Sequence, residues 1–149
     1  MIPSLTPKQQ LGKAISLAAS LFEKITDKSG EPYILHCLRV MNAVDKNDPE
    51  LQVIAVLHDV LEDCEEINFQ QLKEMGFSHR VVRALILLDH DPKIPYDDYI
   101  HTLAHNLDAV AVKKADLIDN SNITRLKGLR KKDFDRLEKY HRAFVYLSN

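Results

Sequence analysis

The chain lacks most of the features that mark secreted, fibrous or membrane proteins. Its 149 residues include only two cysteines and four glycines, and the formal net charge is −2 at pH 7. Cys37 and Cys64 are too few for a disulfide framework and form no CxxC motif, so we expect both to be small core residues in a reducing cytosol. The low net charge argues against broad electrostatic capture of nucleic acid or of an anionic membrane.

Long apolar stretches are also missing. No run approaches the roughly 20 residues of a transmembrane helix, and the segment MIPSLTPKQQ lacks the basic start and apolar core of a signal peptide. We therefore expect a cytoplasmic protein with no membrane or nucleic-acid partner. Hydrophobic residues make up 45% of the chain, and no repeat or linker divides it, which predicts one globular domain over residues 1–149. The composition gives no indication of the oligomeric state.

Apolar residues recur at helical spacing along the chain, which predicts an all-α fold, a single bundle of about seven or eight helices. Thr6-Pro7, Asp48-Pro49 and Ser78 are residue types that begin helices. The first helix is predicted to end near Thr26, and the third to continue without a break through Asp63. The other helices are predicted after Pro32 and near residues 69–75, 79–88, 96–105, 108–122 and 132–147.

The segment His58-Asp59-Val60-Leu61-Glu62-Asp63 carries the most information about function. It places one histidine and three carboxylates on about one and a half helical turns, directly after the apolar run 51–57. Charged side chains on a buried helix need a metal ion or hydrogen-bonded partners. The second His-Asp pair of the chain, His90-Asp91, is followed by Pro92. It is therefore predicted to lie in a loop and serves as an internal control.

Two residues on other predicted helices complete a candidate metal site. His36 lies at the edge of the apolar stripe of the second helix, and Asp116 lies in the helix near residues 108–122. Together with His58 and Asp59, they would give an ion two imidazoles and two carboxylates, which suit Mn²⁺, Fe²⁺ or Zn²⁺ better than Mg²⁺. Such an ion acidifies water and polarises a phosphoryl oxygen, which predicts a phosphohydrolase.

Five more residues are candidates for catalysis and substrate binding. Glu62 and Asp63 lie one helical turn beyond the two ligands of the third helix. We predict that they orient and deprotonate the attacking water or protonate the leaving oxygen. Asn120 and Lys113 lie about one turn on either side of Asp116, where Asn120 would bond a ribose or phosphate and Lys113 would supply positive charge. Lys28 is a further candidate phosphate contact.

These residues fall in three blocks that resemble the hydrolase domain of the RelA/SpoT homologues and the small alarmone hydrolases, within the HD superfamily. The blocks are Lys28–His36, Leu57–Asp63 and Val112–Asp116 with Asn120. The resemblance implies a helical HD-domain bundle in which the four ligands hold Mn²⁺, while Glu62 and the neighbouring Asp63 handle the catalytic water. It also implies a nucleotide substrate, guanosine tetra- or pentaphosphate (ppGpp or pppGpp), from which the 3′-pyrophosphate is cleaved.

The chain departs from the family pattern around the expected nucleotide pocket. The family has an Arg-Lys pair that helps to clasp the guanine nucleotide, and Asp27-Lys28 stands at that position here. Phe22 and Ile25 occur where many members carry His and Gln, and Lys114 replaces a common apolar residue. The metal ligands are complete, so the residues support a phosphohydrolase better than they support an alarmone hydrolase.

Two alternatives remain open at this point. The first is an HD enzyme that acts on another nucleotide, such as a nucleoside monophosphate, which the metal ligands do not distinguish from an alarmone hydrolase. The second is a non-catalytic nucleotide-binding module, against which the intact pair Glu62 and Asp63 argues.

Overall fold

The computed structural model describes residues 4–149, and α-helices account for nearly all of their regular structure. The α-helical segments are α1 (Pro7–Leu21), α2 (Ile34–Ala43), α3 (Pro49–Leu57), α4 (Val60–Asp63), α5 (Phe69–Glu74), α6 (His79–Leu88), α7 (Tyr96–Leu103), α8 (Leu107–Asn120) and α9 (Lys131–Leu147). A 3₁₀ turn, Ile123–Arg125, lies between α8 and α9, and residues 4–149 contain no β-strand. The all-α prediction is confirmed, with eight helices when α3 and the single turn α4 count as one interrupted helix. Within the described residues, no helix combines the length and apolarity needed to cross a membrane.

Helix α3 is the centre of the fold. Leu51 and the whole run 53–57 are buried, so apolar side chains point to every side of this helix. A helix that is apolar all round must be surrounded by other elements, and α1, α2, α6 and α8 pack against it. Asp48 begins α3, because its carboxylate accepts a hydrogen bond from the Leu51 N–H at 3.1 Å.

Helix α1 packs on α3 through small side chains. Ala14 and Ala18 have no exposed surface, and their size lets the two helices approach closely. The third buried residue of α1 is Gln10, whose Oε1 accepts the Ser78 N–H at 3.0 Å and whose Nε2 donates to the Leu5 carbonyl at 3.2 Å. The buried amide is therefore satisfied, and it ties α1 to the start of α6.

Arg80 of α6 joins the starts of two other helices. Its guanidinium donates to the Asp48 carboxylate at 2.7 and 3.0 Å and to the Asp108 carboxylate at 2.8 and 2.9 Å. Asp48 caps α3 and Asp108 lies in the first turn of α8. The hydrogen bonds from Arg80 hold the pKa of Asp48 below its usual value. This ion-pair network fixes the relative position of the two helices α3 and α8.

Helix α1 ends at Leu21, so the prediction that it continues to near Thr26 is wrong. The residues that follow form a loop instead, in which the Tyr33 N–H donates to the Ile25 carbonyl at 2.9 Å. Thr26 forms an isolated β-bridge across the same loop, which requires extended rather than helical backbone. Gly30 reverses the chain with a φ of +87°, a value that glycine adopts without strain.

The third predicted helix is interrupted, so the prediction of one continuous helix through Asp63 is also wrong. Helix α3 ends at Leu57 and α4 begins at Val60. In a regular helix the Ala55 carbonyl would accept from the backbone N–H four residues later. Here it accepts from the ring Nδ1 of His58 at 2.7 Å and from the backbone N–H of the same residue at 3.4 Å. The imidazole thus replaces a helical hydrogen bond, and the chain turns at this point.

Both cysteines are core residues, as predicted. Cys37 has no exposed surface and Cys64 is 2% exposed, and neither forms a disulfide. Free, buried cysteines behave as small hydrophobic residues.

Helix α9 packs against α7 and α8. Its buried apolar residues, Ala143 and Leu147, lie in its second half. The first half buries no apolar side chain, and Phe134 there is 54% exposed. Arg136, Lys139 and Tyr140 of α9 face a cavity instead. Helix α9 therefore contributes side chains both to the cavity wall and to the hydrophobic core.

The central position of α3 predicts where the fold is most sensitive. Ile54→Ala is expected to lower the free energy of unfolding by about 2–5 kcal/mol, because Ile54 has no exposed surface and truncation leaves a cavity. Ile118→Ala in α8 is the matched control, since Ile118 is 61% exposed and should change stability by less than about 0.5 kcal/mol. Urea denaturation followed by circular dichroism measures both. Equal losses would contradict the central role of α3.

Candidate functional site

The four predicted metal ligands lie together in the structure. His36 comes from α2, His58 and Asp59 from the turn between α3 and α4, and Asp116 from α8. One ligand atom from each lies within 4.8 Å of the others. The Asp116 Oδ1 atom is 3.0 Å from the Nε2 atom of His36 and 3.2 Å from that of His58. The Asp59 Oδ2 atom is 3.0 Å from the latter nitrogen.

Both imidazoles are oriented so that Nε2 points into this cluster. The Nδ1 atom of His58 donates to the Ala55 carbonyl at 2.7 Å, and the Nδ1 atom of His36 donates to Asp119 Oδ2 at 2.6 Å. A neutral imidazole that donates through Nδ1 carries a lone pair on Nε2. The two Nε2 atoms are 3.3 Å apart. Metal-binding histidines in proteins are held in this way, through their second ring nitrogen.

The cluster therefore brings four electron-pair donors together in the protein interior, and such a group needs a positive charge. The pKa values of the two histidines also show that the site favours positive charge. Burial opposes protonation of His36, but hydrogen bonds that its ring donates to Asp116 and Asp59 outweigh burial and raise its pKa to about 9. The same two carboxylates raise the pKa of His58 above its usual value in spite of burial. The electrostatic field of the site thus favours a cation.

The donor set fits a divalent metal ion. Two imidazole nitrogens and two carboxylate oxygens, each able to reach a common point, form a ligand set of borderline to hard character. Asp59 also lies in a second group, with Glu62 and Asp63, whose carboxylate oxygens approach within 4.8 Å of one another. The residues present are therefore suited to an ion that is bound on one side and open to the Glu62 and Asp63 carboxylates on the other.

Lys113 and Asn120, predicted as substrate contacts, both bond Asp116. The Lys113 Nζ atom donates to Asp116 Oδ2 at 2.9 Å, and the Asn120 Nδ2 atom donates to Oδ1 at 2.8 Å. The pKa of Asp116 lies well below its usual value, because the charges of Lys113 and His58 outweigh its burial. Both residues also line the adjoining cavity. They therefore hold a metal-ligand candidate in place and also form part of the cavity wall.

Asp59 is held by a tyrosine that the sequence did not single out. The Tyr33 hydroxyl donates a hydrogen bond to Asp59 Oδ2. Tyr33 precedes α2, and its ring lies 5.4 Å from that of His36, centroid to centroid. Tyr33 lies three residues before His36 in the 28–36 block, and this spacing is the signal that would have identified it.

Asp119 is the main site residue that sequence reasoning missed. Its carboxylate accepts from His36 and, at 2.8 and 3.2 Å, from the Arg39 guanidinium. The Arg125 guanidinium reaches the same carboxylate at 3.4 Å and the Asp119 carbonyl at 2.8 Å. Hydrogen bonds from Arg39 and His36 hold the pKa of Asp119 low in spite of burial. The spacing of three residues from Asp116 put Asp119 on the same side of α8, but nothing in the sequence showed its partner.

Glu62 and Asp63 lie on α4 and line the cavity, and they differ in their surroundings. Glu62 Oε1 accepts the backbone N–H of His90 at 2.9 Å, whereas Asp63 has no hydrogen-bond partner among residues 4–149 for its carboxylate. Burial and the negative charges of Asp59 and Glu62 raise the pKa of Asp63 to about 6. Burial also raises the pKa of Glu62.

The second His-Asp pair, His90-Asp91, lies nearer to the metal-ligand cluster than its sequence context suggested. Residues 89–95 form a loop, as predicted, but this loop borders the cavity and His90 lines it. The His90 ring stacks on Tyr99 with a centroid distance of 4.6 Å, and its Nε2 atom bonds the Ile94 carbonyl at 2.7 Å. The ring therefore packs rather than joining the metal-ligand cluster.

A cavity of about 550 Å³ opens beside the cluster, which is within the range for small-molecule sites. Its lining includes a set of basic side chains from five parts of the chain: Lys28, Arg39, Lys113, Arg125, Arg136 and Lys139. Partial burial and the positive charge of Arg136 lower the pKa of Lys28. The sequence predicted Lys28 and Lys113, but it did not show that α9 contributes two more basic residues.

Asp27, the acid in place of the family arginine, also lines the cavity. Its Oδ1 atom accepts hydrogen bonds from the Ser29 N–H, the Ser29 hydroxyl and the Glu31 N–H at 2.7–3.0 Å. Those bonds outweigh partial burial and lower the pKa of Asp27. One carboxylate oxygen of Asp27 thus stabilises the loop of which it is part, and the side chain lines the cavity as an anion.

Comparison with known proteins identifies the helical fold, which in this chain has a cluster of histidines and aspartates in its interior. No family model matches the chain, and none of the curated proteins matches it. Among solved structures, it is similar to a metazoan orthologue of SpoT that hydrolyses ppGpp and plays a role in starvation responses. The two chains share 20% sequence identity at a TM-score of 0.75, over 99% of this chain and 87% of that one. The likeness confirms the fold that the sequence motifs implied.

Metal binding should be visible as stabilisation. Adding Mn²⁺ is expected to raise the melting temperature, because an ion that binds only the folded state adds about 2.7 kcal/mol at a hundredfold excess over its Kd. A chelator should reverse the shift. His58→Ala should abolish it, whereas His105→Ala, which alters an exposed histidine of the segment after α7, should retain it. An undiminished shift in His58→Ala would place the ion elsewhere.

Asp119 should matter for metal affinity without touching the ion. Asp119→Ala is expected to weaken Mn²⁺ binding about 10–100-fold, because the ring of His36 loses the acceptor that orients it. Isothermal titration calorimetry on substrate-free protein measures this affinity. Asp135→Ala is the control, since Asp135 pairs only with Lys131 on the surface of α9. Wild-type affinity in Asp119→Ala would exclude an orienting role.

Proposed function

We propose that the protein is a metal-dependent phosphohydrolase, most closely a ppGpp 3′-pyrophosphohydrolase, which releases pyrophosphate from a guanosine alarmone. The observation that carries this proposal is the cluster of His36, His58, Asp59 and Asp116, placed directly beside two carboxylates in a cavity lined with basic residues. A cation site, a base and a polyanion pocket are the parts that phosphoester hydrolysis needs.

The proposed cofactor is Mn²⁺, held by the four clustered side chains. A divalent ion in such a ligand set supplies Lewis-acid activation of a water and of a phosphoryl oxygen. Three of the ligands are braced by other residues: His36 by Asp119, Asp59 by Tyr33, and Asp116 by both Lys113 and Asn120. Bracing of this kind keeps ligand atoms at fixed positions during the reaction.

Asp63 is the proposed general base and Glu62 its partner. The Asp63 carboxylate is free of hydrogen bonds within residues 4–149, and its pKa of about 6 leaves it ionised but basic near neutral pH. In the proposed step, water adds to the phosphorus attached to the 3′ oxygen while Asp63 accepts the water proton. The bond between that phosphorus and the 3′ oxygen breaks, and Asp63 passes the proton taken from the water to the 3′ oxygen as it leaves, which restores the Asp63 carboxylate. Glu62, anchored to the His90 N–H, orients the attacking water.

The basic lining supports a substrate with several phosphate groups. Lys28, Arg136 and Lys139 lie near one another, and Arg136 and Lys139 both disfavour the protonated form of Lys28. A polyanion in the cavity would relieve this repulsion. Guanosine tetraphosphate carries phosphates at both its 3′ and 5′ positions, so one group can lie at the metal cluster while the other lies near α9. One solved structure that is similar to this chain belongs to a protein that hydrolyses ppGpp.

Another nucleotide is the second candidate substrate, and one observation favours it. Asp27 brings a negative charge to the cavity wall where the resembled family carries an arginine. An HD-type phosphatase of a nucleoside monophosphate would keep the metal cluster and change this wall. A non-catalytic nucleotide-binding module is a weaker proposal, because Asp63 has the free carboxylate and raised pKa of a base.

Product analysis tests the proposal. Mn²⁺-loaded protein is expected to release pyrophosphate and GDP from guanosine tetraphosphate, and to act much less on nucleoside mono-, di- and triphosphates. Asp59→Ala should lose both metal and activity. Turnover of a monophosphate alone would favour the second candidate, and no turnover of any phosphate ester by metal-loaded protein would favour the binding module.

Two isosteric variants separate metal binding from catalysis. Glu62→Gln and Asp63→Asn are each expected to bind Mn²⁺ as the wild type does and to lower kcat by about 10²–10⁴-fold, because each removes a carboxylate from the proton-transfer step. Calorimetry gives the metal affinity and a pyrophosphate assay gives kcat. Normal turnover in Asp63→Asn would contradict its role as base.

Three broader predictions accompany this proposal. We propose a cytoplasmic location, which the two free, buried cysteines support. We also propose a small-molecule partner rather than nucleic acid, which the low net charge supports. The proposal of one domain over residues 1–149 rests on the sequence, in which we see no linker.

A further inference from the structure

The hydroxyl of Tyr96 is buried and unpaired. Tyr96 begins α7 and lines the cavity beside the metal-ligand cluster. Its Oη atom is buried, and no residue in the described range 4–149 forms a hydrogen bond with it; no other buried side-chain nitrogen or oxygen in that range shares this property. A buried hydroxyl without a partner is unfavourable in folded proteins, so this one calls for an explanation.

The surroundings of Tyr96 are positively charged. The Lys139 Nζ atom lies 4.6 Å from the centroid of its ring, and the Lys113 Nζ atom lies 5.9 Å from it. The His90 ring packs edge-on against it at 5.8 Å. Burial raises the pKa of Tyr96 to about 12, so the hydroxyl keeps its proton at neutral pH. The hydroxyl is thus a hydrogen-bond donor on a ring that lies near two ammonium groups.

A second tyrosine on the same helix shows the contrast. Tyr99 lies three residues later and is 6% exposed, and its ring centroid is 5.8 Å from that of Tyr96. The Tyr99 hydroxyl donates to the Leu88 carbonyl at 2.9 Å. Of these two neighbouring tyrosines, therefore, only Tyr99 has a hydroxyl with a hydrogen-bond partner in the described residues.

We infer that the Tyr96 hydroxyl donates a hydrogen bond to a phosphate oxygen of the bound nucleotide, an inference that rests on the proposed function. Tyr96 lines the cavity, and the two ammonium groups near its ring attract an anionic acceptor to this part of the cavity wall. A phosphate oxygen there would satisfy the hydroxyl and would take part in the charge-assisted contacts of Lys139 at the same time. Tyr96, the first residue of α7, is then a substrate-positioning residue.

Removal of the hydroxyl should affect binding and leave the fold intact. In an Asp63→Asn background, which keeps the metal ligands, Tyr96→Phe is expected to weaken binding of guanosine tetraphosphate about 10-fold or more. It should weaken binding of inorganic pyrophosphate as well. The melting temperature without ligand should stay the same or rise, because the substitution removes an unsatisfied buried hydroxyl. Calorimetric titration of the Mn²⁺-loaded protein and thermal unfolding supply these measurements.

Tyr99→Phe in the same background is the matched control. It should lower the melting temperature by about 3 °C or more, because the Leu88 carbonyl loses its donor, and it should change the affinity for either probe less than threefold. A lower melting temperature in Tyr96→Phe, with unchanged affinity, would show that its hydroxyl serves the fold and would overturn the inference.

The probes separate this inference from the proposed function. If the background protein binds pyrophosphate through Tyr96 but does not bind the tetraphosphate, the phosphate contact stands and the proposed nucleotide is wrong. If both ligands bind and Tyr96→Phe binds them equally well, the inference is wrong and the proposed function stands. A loss for the tetraphosphate without a loss for pyrophosphate would assign the hydroxyl to the nucleoside and overturn the phosphate contact. If neither ligand binds, both fail.

Discussion

Four electron-pair donors converge within 4.8 Å in the interior of this protein, and a group of this kind is stable only around a positive charge. Much of the surrounding structure serves to hold it. His58 gives up a helical hydrogen bond so that its Nδ1 atom can anchor the ring to Ala55. Asp119 orients the other imidazole and is itself held by two arginines. The residues around the cluster therefore fix the orientation of the ligand side chains.

The helical fold could be predicted because its signals are local. N-cap residues such as Asp48 and apolar residues at helical spacing identify most helices to within about two residues. The interruption between α3 and α4 could not be predicted, because it depends on a hydrogen bond from the side chain of His58 to the backbone of Ala55. Periodicity describes which face a residue occupies, and it contains no information on such a bond. The premature end of α1 likewise depends on a loop that pairs Ile25 with Tyr33.

The metal-ligand candidates could be predicted because histidines and carboxylates next to an apolar run are unusual without a partner. Asp119 could not, since its partner His36 lies 83 residues earlier and the contact depends on how α2 packs against α8. Arg136 and Lys139 resemble ordinary surface charges on an amphipathic helix. Only the packing of α9 shows that they face the cavity. Tyr96 is similar, because a tyrosine at a helix start gives no sign of whether its hydroxyl is used.

The order of the parts along the chain affects when the site is assembled during synthesis. All four ligand candidates lie between residues 36 and 116, whereas α9 supplies Arg136 and Lys139 from residues 131–147. Ribosomes release the chain from its N-terminus, and protein segments begin to fold as they emerge. The four ligand candidates, with Lys28 and Lys113, are therefore synthesised before Arg136 and Lys139. A nascent chain can bring the histidines and aspartates of the cluster together while the cavity still lacks the wall that α9 supplies.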